Sequence, residues 1–390
     1  MKKNVFIILL ALSVCLIAQA QQIPVKRVVL FMIDGFSWEA PTKANMKVFN
    51  SLIKEGTYVQ KSYVILPHHP TVGDYSLYNS CSFPNPVLHQ GTLFLSPKNK
   101  MIQELFSPKQ QTALIVNTVD YRTIGRGFST AVLDDTFSDE DVVDCAIRVL
   151  QDQQPVFMRV HLQRTGQRGY AISQSTSDIP YCRNIFYPNS PYIQCIDSAD
   201  VQLGRFIDFL KKSKMFDDTV VIITSDHGQS KIGWHPLFDE DSWCTPILFL
   251  GAGIAKGREL PYFEQTDIAP TIAGLLGKIG PSDNGAAGVF VKSMLKSEDP
   301  ASFHSPRYLK RLNEQIKEYN FLRAEMILRS KTNSYYGNVV ALLENRTFNE
   351  PFYHQDRVTD WYKAGTIKHM IEVNEQMLEK MRNILSGNLN

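Results

Sequence analysis

The sequence predicts an α/β protein built on a doubly wound, mostly parallel sheet that helices cover on both faces. Two observations carry that expectation. Short apolar runs of strand length recur along the chain, and a helical pattern follows each of them. Strands that alternate with helices form such sheets, because each crossover lays a helix against one face or the other.

The elements follow in order. Lys2 and Lys3 precede an apolar run from Val5 to Ile17, and Ala18-Gln19-Ala20 has the form of a cleavage site. Residues 1–20 therefore read as a signal peptide cut near Ala20, the apolar run being too short for a membrane span. Cys15 fits a lipoprotein site poorly, with a valine before it and apolar residues after. Val28 to Ile33 is the first strand, and Thr42 to Glu55 the helix after it. Further strands are Ala113 to Asn117, Val156 to His161, Val220 to Thr224 and Ile247 to Leu250. Between Cys195 and Lys214, Ile196, Leu203, Phe206, Ile207 and Leu210 share one helical face.

Two stretches break the alternation. Asn79 to Gly91 and Arg164 to Pro191 are rich in Ser, Asn, Pro, Tyr and Gly, as loops or caps over a site would be. After about Phe303 the pattern is helical throughout. Leu309, Leu312, Ile316, Tyr319, Leu322 and Met326 form one stripe, and Ile367, Met370, Val373, Met377, Met381 and Ile384 another. The expected division is a main domain over 21–303 and a helical extension over 304–390 that packs back on it.

Composition narrows the partners. The formal charge of +2 falls to neutral once Lys2 and Lys3 leave with the signal peptide. A neutral chain gives no electrostatic case for a nucleic acid polymer or an acidic membrane as a general partner. No later segment is long and apolar enough to cross a bilayer. The product is expected in the periplasm or outside the cell. Of the six cysteines, Cys182 and Cys195 flank a Pro- and Tyr-rich stretch and could close a surface loop; equally, all five beyond Cys15 could be reduced.

The chemistry concentrates at strand ends. "TVVIITSDHGQSKIGWHP" carries Asp226, His227 and Gly228 just beyond an apolar run, with His235 following. Carboxylate oxygen and imidazole nitrogen suit zinc or a similar divalent ion, although Asp-His-Gly alone can be only a turn. "VVLFMIDGF" repeats the design and ends in Asp34-Gly35. A carboxylate at the end of a buried strand must be paired, solvated or metal-bound. In open α/β sheets ligands sit outside the carboxyl ends of the strands, so these two carboxylates converge on a cation. Thr71, in "LPHHPTVGDYSLYNSC", opens a helix-like run. It can serve as a helix cap with Asp74 and also as a hydroxyl nucleophile, since the helix N-terminus favours the alkoxide.

These blocks, together with "TDIAPTIAGLLG", resemble in serial order the landmarks of the alkaline phosphatase superfamily, over roughly residues 27 to 295. The nearest branches are the nucleotide pyrophosphatase/phosphodiesterases and the sulfatase-like hydrolases. The resemblance implies a three-layer sandwich around a central, mostly parallel sheet, and metal-assisted attack on a phosphorus or sulfur ester. It implies that Asp34, Thr71, Asp226 and His227 form one metal site with its nucleophile, and that His235 belongs to a second. There the chain departs from the pattern. Where two-metal relatives carry D-x-x-G-H, "HLQRTGQRGY" has Gln163 and Gln167, whose neutral amides bind a divalent ion poorly. One divalent ion, Zn2+ before Ca2+ or another, is thus expected rather than two. His161 could compensate in part, and Arg164 and Arg168 could supply positive charge to a substrate oxyanion. His68 and His69 could line the entrance.

The function expected is an exported, metal-dependent hydrolase of phosphate esters or diesters, on a small-molecule, nucleotide-type or glycan substrate, with Thr71 as nucleophile. Two alternatives stand beside it. One is a sulfatase-like hydrolase, although "TVGDY" lacks the cysteine or serine that standard sulfatases convert to an aldehyde. The other is a non-catalytic relative that binds a glycan or anion through a degraded site.

Overall fold

The computed structural model describes residues 25–64, 100–236, 239–280, 288–302, 307–344 and 367–387. The expected signal peptide over residues 1–20, the Asn79–Gly91 stretch, His68, His69 and Thr71 lie outside the described residues. No described helix is long and apolar enough to cross a membrane.

The centre is one sheet. In chain order its strands are β1 (Arg27–Ile33), β2 (Thr57–Tyr63), β3 (Thr112–Val116), β4 (Thr130–Leu133), β5 (Phe157–Leu162), β6 (Thr219–Thr224), β7 (Cys244–Gly251), β8 (Arg258–Glu259) and β9 (Phe263–Glu264). They lie in the order β4-β3-β5-β1-β6-β7-β2-β8, and β9 also pairs with β2. The core from β4 to β6 is parallel, whereas β7 runs antiparallel to both β6 and β2. Thus β1 sits in the middle, flanked in register by β5 and β6.

Alternation along the strands fills two cores. Val29, Phe31 and Ile33 of β1 face one cluster, and Val28, Leu30 and Met32 face another. The first is closed by α1 (Ala40–Lys43), α2 (Lys47–Ile53), α3 (Asp139–Gln153) and α5 (Pro191–Lys212); α4 (Arg164–Ser173) contributes Ile172. The second is closed by α6 (Ile268–Leu275). Both faces are therefore covered, which agrees with the full burial of β1, β3, β5 and β6. On α5 the expected face of Ile196, Leu203, Phe206, Ile207 and Leu210 is buried.

The expected Thr42–Glu55 helix is two. It breaks at Ala44–Met46 because α5 supplies a better partner for the second start. Asp200 accepts from the Val48 and Phe49 N–H groups, each at 2.8 Å, which caps α2 with a carboxylate. The Arg164–Pro191 stretch is also not all loop, since α4 occupies its first part. Its buried face is Thr165, Gly166, Gly169 and Ile172, small residues that let the helix lie close to the sheet edge. Cys182 and Cys195 do not pair: both are thiols, and Cys182 donates to the Ser175 carbonyl at 3.3 Å.

The extension forms α7 (Tyr308–Ser330), α8 (Ser334–Glu344) and α9 (Ile367–Ser386). Leu309, Leu312, Ile316 and Tyr319 join Met377, Leu378 and Met381 in a cluster with Tyr63, Cys244 and Tyr262 of the main domain. The helices pack back on the β2–β7 side of the sheet.

Candidate metal centre at the carboxyl edge

Strand register brings the remote residues together. β1 and β6 run parallel, with Met32 opposite Thr224, so their carboxyl ends leave the sheet side by side. Asp34 and Asp226 emerge there, and both are almost fully buried. Asp34, Asp226 and His227 each offer a ligand atom, and these atoms lie within 4.8 Å of one another.

Each group is aimed. Asp226 Oδ1 accepts from the Gly35 N–H at 3.3 Å and the Ser225 hydroxyl at 3.0 Å. Its Oδ2 has no hydrogen-bond partner among the described residues. Ser225 is itself held by the Phe36 N–H at 3.1 Å. His227 Nδ1 lies 2.7 Å from the Gly228 carbonyl, which can only accept, so that nitrogen carries a proton. Nε2 then faces Asp34 Oδ1 at 3.7 Å and Asp226 Oδ2 at 3.5 Å. This is the orientation that a backbone hydrogen bond on the far nitrogen gives a metal-binding histidine.

The electrostatics agree. Burial by itself would raise the Asp226 pKa, whereas positive charge at the His227 and His161 positions, the Ser225 hydroxyl and the Gly35 N–H lower it. With both rings neutral, that charge falls to a bound cation. Two buried carboxylates and an imidazole nitrogen, with one carboxylate oxygen open, fit a divalent ion of the zinc type. Among the described residues no other trio of His, Cys, Asp or Glu converges in this way.

Two glycines serve by close approach. A side chain on Gly228 would stand 2.1 Å from the Asp241 carbonyl and 2.2 Å from that of Cys244. The Asp-His-Gly turn thus needs glycine for contact with the next loop rather than for a left-handed backbone. A Cβ on Gly166 of α4 would fall 1.5 Å from Asp34 Oδ1.

The other expected residues are placed differently. His235 is buried and stacks edge-on against His227, with ring centroids 4.5 Å apart, yet it does not join the three converging ligands. The Trp234 ring also packs on it, with centroids 3.8 Å apart. Gln163 caps the start of α4, where the Asn117 side-chain oxygen accepts from its N–H at 2.8 Å. Its Oε1 is buried without a hydrogen-bond partner among the described residues. Gln167, Arg164 and Arg168 are exposed. Arg164 faces Asp139, and Arg168 donates to the sulfur of Cys195. Both arginines thus serve the α3 and α5 side of α4.

Three participants were invisible to sequence reading. Tyr192 of α5 donates to the Gly35 carbonyl and accepts from the Ser37 N–H, both at 3.0 Å, and so braces the turn after Asp34. Arg159 and Tyr121 flank His161. His161 is fully buried and its pKa falls to about 3, first through burial and then through the neighbouring Arg159 charge. It is a neutral ring 3.6 Å from Asp34 Oδ2. An apolar run containing Arg and His two residues apart was the available signal, and only the register explains it.

Comparison with known proteins gives a consistent pattern. A family model described as Sulfatase matches residues 85–278, a span that includes Asp226, His227 and His235. The chain is 30% identical to a choline-sulfatase of Rhizobium meliloti over 133 residues, 33% of this chain and 24% of that protein. It is 23% identical to GPI ethanolamine phosphate transferase 1 of Saccharomyces cerevisiae over 286 residues, 66% of this chain and 29% of the relative. The chain therefore spans about a quarter of the length of these curated relatives. Among solved structures, the phosphonate monoester hydrolase of Agrobacterium radiobacter superposes with a TM-score of 0.57 at 16% identity, covering 72% of this chain and 79% of that one. At that identity the likeness is one of fold.

Proposed function

We propose, from the premise that the chain belongs to the alkaline phosphatase superfamily, that it is an exported hydrolase of phosphate esters or diesters with a single divalent ion. Residues 21–303 would form the catalytic unit and 304–390 its helical extension. The observation that carries this reading is the convergence of Asp34, Asp226 and His227, with Asp226 Oδ2 open and His227 Nε2 turned toward both carboxylates.

Asp34, Asp226 and His227 hold the ion. When bound, it supplies positive charge that polarises an ester oxygen and favours the alkoxide form of a nearby hydroxyl. Thr71 is the hydroxyl we assign as nucleophile. β2 ends at Tyr63 beside the start of β7, on the edge that carries the site, and Thr71 follows soon after in the chain, which supports the assignment. Attack by Thr71 displaces the leaving alcohol and leaves the phosphoryl group on the threonine; water or another alcohol then releases it. Gln163 contributes a neutral oxygen where a charged ligand would stand in two-metal relatives, and His235 lines the site beside His227. The substrate is a small-molecule or glycan ester.

The Sulfatase family match favours a second reading, a sulfate ester cleaved without the aldehyde nucleophile. One experiment separates the possibilities. Protein purified without chelator is assayed for metal content and for turnover of chromogenic phosphomonoester, phosphodiester and sulfate substrates, alongside Thr71→Ala. One ion per chain, with phosphate ester turnover that vanishes in Thr71→Ala, is the expected outcome. Preferential sulfate turnover moves the substrate class. No metal, and no effect of Thr71→Ala on any activity, leaves an anion-binding relative.

A further inference from the structure

Beside the trio, reached through Asp34, lies a chain of buried polar groups to which the proposed reaction gives no task. Arg159 and His161 are two residues apart on β5, so their side chains leave the same face of the strand. Both are fully buried. Arg159 Nη2 is 3.2 Å from His161 Nδ1. A guanidinium has donors and no acceptor, so Nδ1 must accept and the single ring proton sits on Nε2. That N–H is in hydrogen-bond contact with the Tyr121 hydroxyl at 3.2 Å, and Asp34 Oδ2 lies 3.6 Å from the same nitrogen, within electrostatic but beyond hydrogen-bond reach. The other oxygen of Asp34, Oδ1, faces His227 Nε2 at 3.7 Å.

We infer that Arg159 and His161 are positioning residues for Asp34: His161, held in one tautomer by Arg159 and hydrogen-bonded to the Tyr121 hydroxyl, sets its N–H edge against Oδ2 by electrostatic contact and leaves Oδ1 for the ion. The inference rests on the reading of Asp34, Asp226 and His227 as a cation site. In this arrangement His161 is not itself a ligand, because its only nitrogen near the site carries the proton. Arg159 also places a permanent positive charge behind Asp34, on an edge where Gln163 supplies none. Asp34 is thereby restricted to one-oxygen binding and one rotamer before any ion arrives. Groups that hold a ligand from behind in this way ordinarily account for 10- to 100-fold in metal affinity.

The test is Zn2+ affinity, measured by chelator competition on the full exported chain, for the wild type, Asp226→Asn, Arg159→Met, His161→Gln and Tyr121→Phe. The nitrogen NMR shifts of His161 are recorded in the zinc-free wild type and in Arg159→Met. Asp226→Asn is expected to abolish tight binding. Arg159→Met is expected to weaken it about 10- to 100-fold, and Arg159→Met/His161→Gln to be no worse than the weaker single variant. The wild-type ring is expected to carry its proton on Nε2, and Arg159→Met to release it into a mixture of tautomers. Binding by Arg159→Met within twofold of wild type, while Asp226→Asn binds none, overturns the positioning role and leaves the cation site standing. A wild type that binds no Zn2+ overturns the cation site instead. If Arg159→Met does not fold, Tyr121→Phe decides: unchanged or tighter binding fits an N–H that serves Asp34, and a tenfold loss shows that it serves the tyrosine. A proton on Nδ1 in the wild type overturns the inference whatever the affinities.

Discussion

Two corners of one sheet edge differ in what they can hold. At the ends of β1 and β6, Asp34, Asp226 and His227 turn charged or basic atoms toward a common point. At the end of β5, Gln163 turns only a neutral oxygen, and Gln167 lies exposed on α4. Both corners end a buried parallel strand, but β1 and β6 run into turns whereas β5 passes through Gln163 alone directly into α4. The side chains and the backbone that follows the strand both differ. One sheet edge can therefore carry a ligand-rich corner beside a neutral one, and the charged corner is braced by neighbouring elements. Tyr192, Ser225, Arg159 and His161 supply that support.

The largest effect belongs to the charged corner. Asp226→Asn removes the open carboxylate oxygen and should lower kcat/KM for the best ester on the order of 10³-fold, with loss of the bound ion on metal analysis. If the Asp226→Asn protein kept its ion and its rate, the corner would not be the site. Gly166→Ala strikes the seam between the corners. Its methyl would sit 1.5 Å from Asp34 Oδ1 and 2.6 Å from its Cγ, so either the buried carboxylate or α4 must shift. A destabilisation of about 3 kcal/mol, the upper part of the overpacking range, is expected in denaturant unfolding, together with weaker Zn2+ binding. Unchanged affinity in a folded Gly166→Ala protein would show that α4 does not press on the ligand.

Why one corner was legible in the sequence and the other only in part follows from the same physics. Strands buried on both faces are apolar at almost every position, so β1, β5, β6 and β7 announce themselves, and the carboxylates that end β1 and β6 stand out against them. β2 and β4 have partly exposed residues and pass for loop. α3 carries a capping box of Ser138 and Asp141 that a closer reading of "SDED" would have found. α4 hides because its buried face is made of glycine and threonine, and periodicity methods weigh large apolar residues. Arg159, His161 and Tyr121 acquire meaning only when β5 is laid between β1 and β3, a pairing that no local pattern encodes.

A third buried carboxylate shows what burial does without such a constellation. Glu264 ends β9 and accepts from the Tyr262 hydroxyl at 2.8 Å and the Leu309 N–H, at the start of α7, at 2.9 Å. Burial raises its pKa from 4.5 to about 7 in spite of those bonds, the opposite direction to Asp226. The folded state therefore holds a proton that the unfolded chain releases between pH 4.5 and 7. The stability this gives is complete below the unfolded value and is lost as pH rises through the folded one. Its size is roughly 3 kcal/mol, from the difference between about 7 and 4.5 at about 1.4 kcal/mol per pH unit. The Tm of the wild type should fall across that window more steeply than that of Glu264→Gln. Parallel Tm curves for the two proteins would show that the carboxyl is not held neutral, and that the contrast with Asp226 does not lie in burial.

The mildest change bears most directly on the comparison. Gln163→Asp with Gln167→His restores charged and basic ligands to the neutral corner, on the helix start that Asn117 already pins through the Gln163 N–H. If side chains alone separate the two corners, metal analysis of this variant should rise from one ion per chain toward two, with phosphodiester turnover up about tenfold, equivalent to ~1.4 kcal/mol of transition-state stabilisation. Gln163→Asp alone should do little, because the exposed position 167 then still offers no imidazole. A double variant that stays at one ion would locate the difference in the backbone of α4. Its glycine face, packed against Asp34, would then hold the second set of ligands out of reach whatever their chemistry.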